Sequence, residues 1–475
     1  MSTRPTPRHA PAPPAPARGV RTPIPGPKTA ALLASGQLDM QAIYRLLVVD
    51  DEASQGCSLV DADGNVFLDL FSHFALGALG YNHPALLEVA RSPEFVRAVA
   101  NPTSSPFVPA PQWLSFLDGM TRYAPHGMSH IYCVDAGGEG VEAALKAGFI
   151  VHGERRRSAA GGPRNPLELP AADQEKILMN AGSDAVAISL SGAFHGRGFG
   201  SLAATHSKTI HKADIPSFDW PVAPFPANRH PRHRYAEENS AVEAAALAEL
   251  ERIFDRYDGR VASLIVEPMQ SEGGDRHASP AFFQGVQRLC KQANAAFILD
   301  EVQTGMGISG TLWTHEQLDL PTPPDMVAFG KKMQMGGFFA SDAYTIRQFG
   351  RMYQTRNGDR ARAMLALATL RTIEAEHLLQ NVRDVGALLL ARLEELSDRF
   401  PSLITEPRGR GFLMAFDLPT TAARDELLKR AMRRGVFATY TGVRSVRLRP
   451  HLIMGAAEAN EAADVFHAVA AEMVG

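Results

Sequence analysis

Two short stretches put ionisable residues where covalent chemistry can be done. In LDEVQTG (299–305) an apolar run ends in Asp300 and Glu301 and then turns at a glycine. In MVAFGKK (326–332) a second apolar run passes through a glycine into Lys331 and Lys332. Standing alone, Asp300 would read as a cap on the next segment and Lys331 as a surface cation. Together they sit at the ends of two apolar runs, and ligands of parallel sheets gather at the carboxyl ends of strands. A desolvated lysine has a lowered pKa and forms imines readily. A carboxylate beside it can keep a pyridine nitrogen protonated, so that the ring draws off electrons. An acid and a lysine in these places fit pyridoxal phosphate chemistry, with Lys331 holding the aldehyde as a Schiff base and then moving a proton.

Such a cofactor needs a phosphate anchor. VDAGGEGVEAALK (134–146) reads as a strand end, a run of glycines and the start of a helix with Ala144, Leu145 and Phe149 on one face. Free N–H groups and the dipole at a helix start attract phosphate, and glycines allow close approach. SGAFHGR (191–197) follows another apolar run. Phe194 there is placed to stack on a flat ring, although core packing would explain it equally, and a satisfied buried histidine would explain His195.

The elements that must carry these residues are those of an α/β protein. Ala185–Leu190, Ser263–Val266, Ala296–Leu299 and Met326–Phe329 read as buried parallel strands. Between two of them Phe282, Val286, Leu289 and Ala293 fall on one helical face. Cys57–Val60 and Val66–Leu70 flank a DADGN turn and read as a hairpin. PIPGPK (23–28) reads as extended, and residues 33–35 and 40–47 as short helix. Residues 155–175 and 221–240 read as polar surface insertions, and Gly411–Leu418 and Ser445–Leu448 as strands among C-terminal helices. The expected division is a disordered Pro/Ala/Arg tail at 1–22, an N-terminal segment at 23–90 packing on the small domain, a large domain at 91–345, and a small α+β domain at 346–475.

Bulk properties narrow the classes. The chain has 475 residues, 45% hydrophobic and 21% charged, and 48 basic residues against 51 acidic give a net charge of −3. That balance argues against a broad nucleic-acid-binding face. The three cysteines, Cys57, Cys133 and Cys290, form neither a disulfide framework nor a zinc spacing, so no metal is expected and a reducing cytoplasm suits the chain. No apolar run is long enough to span a bilayer.

Taken together, these motifs resemble the class III aminotransferases of pyridoxal phosphate fold type I, from about residue 23 to the C-terminus. EPMQSEGG (267–274), DEVQTG (300–305) and the glycine-lysine at 330–331 occur in the family's order and spacing. Within the class, FHGR (194–197), FDWP (218–221), EGGDRH (272–277), AFGKK (328–332), PRGRG (407–411) and VRLRP (446–450) resemble the L-lysine 6-aminotransferase branch. The resemblance implies a large, mostly parallel-sheet cofactor domain, a small α+β domain, and a homodimer with its active site at the interface. It implies that Lys331 binds the cofactor, Asp300 pairs with the pyridinium nitrogen and Phe194 stacks on the ring. Gly137 and Gly138 would hold the phosphate, Gln303 would lie near the ring oxygen, and Thr355 would reach the partner subunit's phosphate.

The implied reaction moves the ε-amino group of lysine, or of a close relative, to 2-oxoglutarate. Arg197 would hold the distal carboxylate of either substrate and Arg447 the α-carboxylate of glutamate. With lysine bound, Arg447 would face no carboxylate, a costly buried charge, and Glu272 would cover it. Two departures from the family pattern stand out: Arg356 and Asn357 occupy places of an aromatic and a glycine, and His73 lies in a segment that lines the substrate pocket. Ornithine, a diamine or a modified lysine as donor, or an epimerase or racemase of the same fold, are the alternatives.

Overall fold

The computed structural model describes residues 15–35, 39–40, 45–101 and 107–475. The chain divides into two compact units: one of residues up to Asn101, Met306–Leu312 and Met364–Gly475, the other of Pro102–Gly305 and Trp313–Ala363.

The first unit opens with the hairpin β1 (Ser58–Val60) and β2 (Val66–Asp69), paired antiparallel with Val60 opposite Val66. The second unit is built on a seven-stranded sheet. Its strands are β3 (His130–Val134), β4 (Val186–Leu190), β5 (Val222–Ala223), β6 (Val261–Val266), β7 (Ala296–Asp300), β8 (Met326–Phe329) and β9 (Gly336–Ala340). Their order is β3-β9-β8-β7-β6-β4-β5. Neighbours from β8 to β5 run parallel, and β9 alone runs antiparallel to both its neighbours. The four strands expected from apolar runs are β4, β6, β7 and β8. Every residue in them is buried, which is why they carry continuous rather than alternating hydrophobic residues.

Successive side chains feed opposite faces of this sheet. Ile188, Leu264, Phe297 and Leu299 join one core cluster, packed with Phe282, Val286 and Leu289 of the helix Pro280–Gln292. Ala187, Ile265, Ile298 and Ala328 join another, packed with Val141, Ala144 and Leu145 of the helix Gly137–Ala159. Ser279 caps the former helix, its Oγ accepting from Phe282 N at 3.1 Å.

The C-terminal part of the first unit adds β10 (Thr405–Arg410), β11 (Leu413–Asp417), β12 (Val436–Phe437), β13 (Thr439–Thr441) and β14 (Ser445–Leu448). Four of them form an antiparallel sheet in the order β10-β11-β14-β13, while β12 pairs in parallel with β2.

Several expectations change. The first helix is Pro27–Leu33, so the extended segment ends earlier: Pro27 suits a first helical position, and Asp63 accepts from the Lys28 and Thr29 amides at 2.8 Å. Residues 41–44 of the second expected helix lie outside the described residues, as do 1–14 of the tail. Residues 15–22 are not loose: Gly19 bridges to Val66, and Arg18 pairs with Glu458 at 2.9 Å and Glu461 at 2.8 Å. The span 221–240 contains β5 and the start of the helix Ala236–Arg256. His233, Arg234, Glu237, Glu238 and Ser240 there are exposed, while Asn239 is buried and accepts from Arg229 N at 2.8 Å. Residues 346–363 belong with the large sheet. Gln348 and Arg351 bond Glu154, and Asn357 Nδ2 bonds the Cys133 carbonyl at 2.8 Å.

Candidate active site

Three neighbouring parallel strands deliver ionisable residues at their carboxyl ends. Glu267 follows β6, Asp300 closes β7, and Lys331 follows β8 after Gly330. Asp300 stands opposite Ala328 of β8, and the Glu301 amide donates to the Ala328 carbonyl at 2.9 Å. A Cβ on Gly330 would lie 2.9 Å from Gly137 Cα and 3.0 Å from Val302 Cγ1. The lysine segment therefore leaves β8 against the start of the 137–159 helix and the loop after Asp300.

The two lysines differ in what they do. Lys332 is fully buried and donates to the Gln303 carbonyl at 2.9 Å. Lys331 is half-buried, with φ of +46°, a left-handed conformation that a non-glycine residue adopts at a cost.

Asp300 is 3% exposed and committed on both oxygens. Oδ1 accepts from Val302 N at 3.0 Å, and Oδ2 meets His195 Nδ1 at 2.7 Å. An ionised carboxylate only accepts, so Nδ1 carries the imidazole proton. The His195 amide donates to Thr205 Oγ1 at 2.9 Å, fixing the loop after β4. His195 Nε2 is buried without a partner among the described residues. One residue earlier, the Phe194 amide donates to Glu267 Oε1 at 3.0 Å, while Glu267 Oε2 accepts from Ser271 N at 3.1 Å. Burial pushes the Glu267 carboxyl up to about 7, with Asp300 adding to the rise and His195 and the two amides opposing it.

The other acid of the DEVQTG motif is structural. Glu301 accepts from the Thr314 amide at 2.7 Å and the His315 amide at 2.8 Å, and meets His315 Nδ1 at 2.6 Å. Gln303 is buried beside it in the chain.

These residues fit pyridoxal phosphate. The 137–159 helix begins with Gly137 and Gly138 and has no side-chain cap, so its first N–H groups are available to an anion. A Cβ on Gly137 would lie 2.5 Å from Val302 Cγ1, so glycine keeps that approach clear. Gly138 lies beside Gly196 and Arg197, whose atoms would be 3.5 and 3.9 Å from its Cβ. The structure thus brings Lys331, Asp300, Gly137, Gly138 and Phe194 into one cluster, with Gln303 on the loop after Asp300.

Arg197 continues from that cluster. It is exposed, its Cζ lies 5.7 Å from the Phe194 ring centroid, and it donates to His211 Nε2 at 3.3 Å. Burial, then Arg197 and Lys208, lower the His211 pKa, so this imidazole is a neutral acceptor. Glu272, expected to cover Arg447, is paired with Lys208 at 3.4 Å. Thr355 is exposed, outside this cluster. Arg447 belongs to the other unit, where it is 1% exposed on β14 with its guanidinium carbon 5.0 Å from the Phe74 ring.

Sequence reasoning gave Glu267, Lys208 and His211 no role. Glu267 ends a strand as Asp300 does and could have been found by that sign. Lys208 and His211 follow in SKTIHK without such a sign.

The model of the family described as aminotransferase class-III matches residues 41–470. The 4-aminobutyrate aminotransferase of Emericella nidulans is 40% identical over 439 residues, covering 91% of this chain and 86% of that protein. The mitochondrial 4-aminobutyrate aminotransferase of Homo sapiens is 37% identical, with 91% and 87% covered. The lysine aminotransferase from M. tuberculosis superposes with a TM-score of 0.81 at 35% identity, covering 93% of this chain and 97% of that one. With its match running nearly end to end, this chain belongs to the class III aminotransferases and is a pyridoxal phosphate-dependent aminotransferase.

Proposed function

We propose that the donor is an ω-amino acid, with its amino group on a carbon that bears no carboxylate and a carboxylate at its far end. 4-Aminobutyrate fits before L-lysine, and 2-oxoglutarate is the acceptor. The observation that carries this is the charge around Arg197. Arg197 and Lys208 supply two cations, His211 is neutral, and Glu272 supplies one anion. A donor ending in a carboxylate alone complements that excess. Lysine brings an α-ammonium to the same place and must set it against Glu272. Lysine remains the second reading because the structural neighbour at 35% identity is a lysine aminotransferase.

When bound, the cofactor supplies an aldehyde for the amino group and an electron sink. Lys331 holds it and moves the proton at the donor carbon, while Asp300, fixed by His195, keeps the pyridine nitrogen protonated. Phe194 covers the ring, Gly137 and Gly138 donate N–H groups to the phosphate, and Gln303 lies near the ring oxygen. Arg197 takes the distal carboxylate, and Arg447 takes the α-carboxylate of glutamate. We place Thr355 at the partner subunit's phosphate in a homodimer. A cytoplasmic setting is proposed on the three buried free cysteines; the mouse and human relatives are named as mitochondrial. Among the described residues no helix is long and apolar enough to cross a membrane.

The test compares kcat/KM for 4-aminobutyrate, L-lysine and butylamine with 2-oxoglutarate. The expected order is 4-aminobutyrate, lysine, butylamine. Arg197→Gln should raise KM for 4-aminobutyrate by about 10- to 100-fold, the worth of a charge-assisted hydrogen bond. Lysine in first place would make it the donor, and butylamine equal to 4-aminobutyrate would remove the carboxylate from the argument. Lys331→Ala should abolish turnover; steady-state activity in that variant would overturn the assignment of the lysine.

A further inference from the structure

Arg356 and Asn357, the residues that depart from the family pattern beside Thr355, make contacts that fasten their segment to the second unit, where all of the residues involved lie. Asn357 works in two directions. Its Oδ1 accepts from the Gln354 amide, closing a turn with Thr355 and Arg356 at the tip. Its Nδ2 donates to the Cys133 carbonyl at 2.8 Å. β3 is an edge strand of the seven-stranded sheet, and an edge presents carbonyls with no second strand to pair them. A glycine at 357 could make neither bond.

The flanking residues add to this hold. Arg356 stands between two acids, its Nη2 3.0 Å from Asp359 Oδ2 and its Nε 3.7 Å from Asp135 Oδ1. Arg362 Nη1 donates to the Asp135 carbonyl at 2.9 Å and stands 3.5 Å from Asp135 Oδ1. Asp359 Oδ1 accepts from the Ala361 and Arg362 amides at 3.0 and 3.1 Å. Gly358 is buried against Trp113, where a Cβ would lie 2.9 Å from the ring atom Cε2.

These contacts differ in weight. The Arg356 side chain is 52% exposed, and an exposed ion pair contributes little. Asn357 is half-buried and its bonds go to the backbone on both sides of the segment. Cys133 and Asp135 lead directly into Gly137 and Gly138. The turn that carries Thr355 is thus tied to the stretch of chain that enters the phosphate anchor.

We propose that Asn357, supported by Arg356, is a positioning residue for the cofactor phosphate of the partner subunit, because it holds the turn that carries Thr355. This rests on the reading that Thr355 reaches that phosphate. Thr355 is exposed in its own chain and brings a single hydroxyl. Ordering that hydroxyl only on binding would cost conformational entropy, and a turn closed and fastened beforehand avoids the cost.

The experiment uses full-length protein, stripped of cofactor by dialysis and dimeric by light scattering. It is titrated with pyridoxal phosphate and with pyridoxal, which lacks the phosphate, and visible absorbance follows binding. Thr355→Val should weaken pyridoxal phosphate about 10-fold or more, the loss of a hydrogen bond to a charged group. Asn357→Ala should weaken it about 3- to 10-fold, and Arg356→Gln by no more than about 5-fold. None of the three should change pyridoxal binding. In the Thr355→Val background Asn357→Ala should add little, since no hydroxyl is left to position. An equal loss for pyridoxal, or losses that add in the double variant, would mean that Asn357 acts through packing alone and overturn the proposal. If Thr355→Val binds pyridoxal phosphate like the parent, the reading of Thr355 fails and the positioning fails with it. If Thr355→Val weakens binding while Asn357→Ala does not, only the positioning fails.

Discussion

Glu267 shows what a single buried carboxyl can do beside the proposed cofactor site. Burial raises it to about 7 from an ordinary 4.5. Between those values the folded chain keeps a proton that the unfolded chain has released. Its contribution to stability is therefore complete below pH 4.5 and is lost as pH rises through 7, on the order of 3 kcal/mol in all. Glu267→Gln imitates the protonated form and should remove that slope. Urea denaturation of parent and variant from pH 5 to 8 checks it: the curves should meet near pH 5 and separate toward pH 8 with the variant more stable. Parallel curves would mean that Glu267 does not titrate in this range. Asp300 and Lys331 were legible in the sequence because each closes an apolar run. The work of Glu267 was not, because its hydrogen bond goes to the amide of Phe194, 73 residues away. Choosing Lys331 over Lys332 rested on the preceding glycine; Lys332 is buried and donates to the Gln303 carbonyl, a bond that no sequence pattern announced.

Among the elements, legibility followed burial. β4, β6, β7 and β8 are wholly buried and wrote themselves as apolar runs. β10 did not, since its sequence TEPRGR is charged: Arg408 is buried by pairing with Asp417 at 2.8 Å and Ser445 at 2.9 Å. β9 was hidden for another reason. It opens on two glycines that close packing demands: a Cβ on Gly336 would fall 1.9 Å from the Ala136 carbonyl oxygen at the start of the 137–159 helix, and one on Gly337 2.2 Å from the Tyr132 carbonyl oxygen of β3. A Cβ on Gly140 would sit 2.6 Å from both the nitrogen and the oxygen of Gly337, backbone atoms that cannot rotate away. Gly140→Ala should therefore cost about 1–3 kcal/mol or more by overpacking. Gly153, on the same helix, has only the flexible tip of Arg157 at 3.3 Å. Gly153→Ala should be neutral or stabilise by about 0.5–1 kcal/mol through backbone entropy. Denaturation midpoints of the two variants should move apart; equal shifts would show that helix propensity, and not contact with β9, governs both positions.

At the scale of the whole molecule, the proposed homodimer makes a prediction that neither site residues nor single elements can. The chain is nearly neutral, with a net charge of −3, so no strong repulsion opposes self-association. Unit two exposes an aromatic group of Phe107, Phe349 and Tyr353, with Phe107 5.4 Å from each of the other two rings. Phe349 is 86% exposed, more than a lone surface aromatic needs to be. Thr355, proposed to serve the partner's phosphate, lies two residues beyond Tyr353. If this surface is the subunit interface, dissociation and loss of cofactor must go together. Light scattering should give twice the mass of one chain. Phe349→Glu should shift the protein toward single chains, and cofactor affinity, followed by the protein's visible absorbance on dilution, should fall in step. Leu178→Glu supplies the contrast, since Leu178 is 81% exposed on a helix with no buried residue and should change neither quantity. A Phe349→Glu protein that stays dimeric would move the interface elsewhere. One that becomes monomeric yet keeps its cofactor would remove Thr355 from the site.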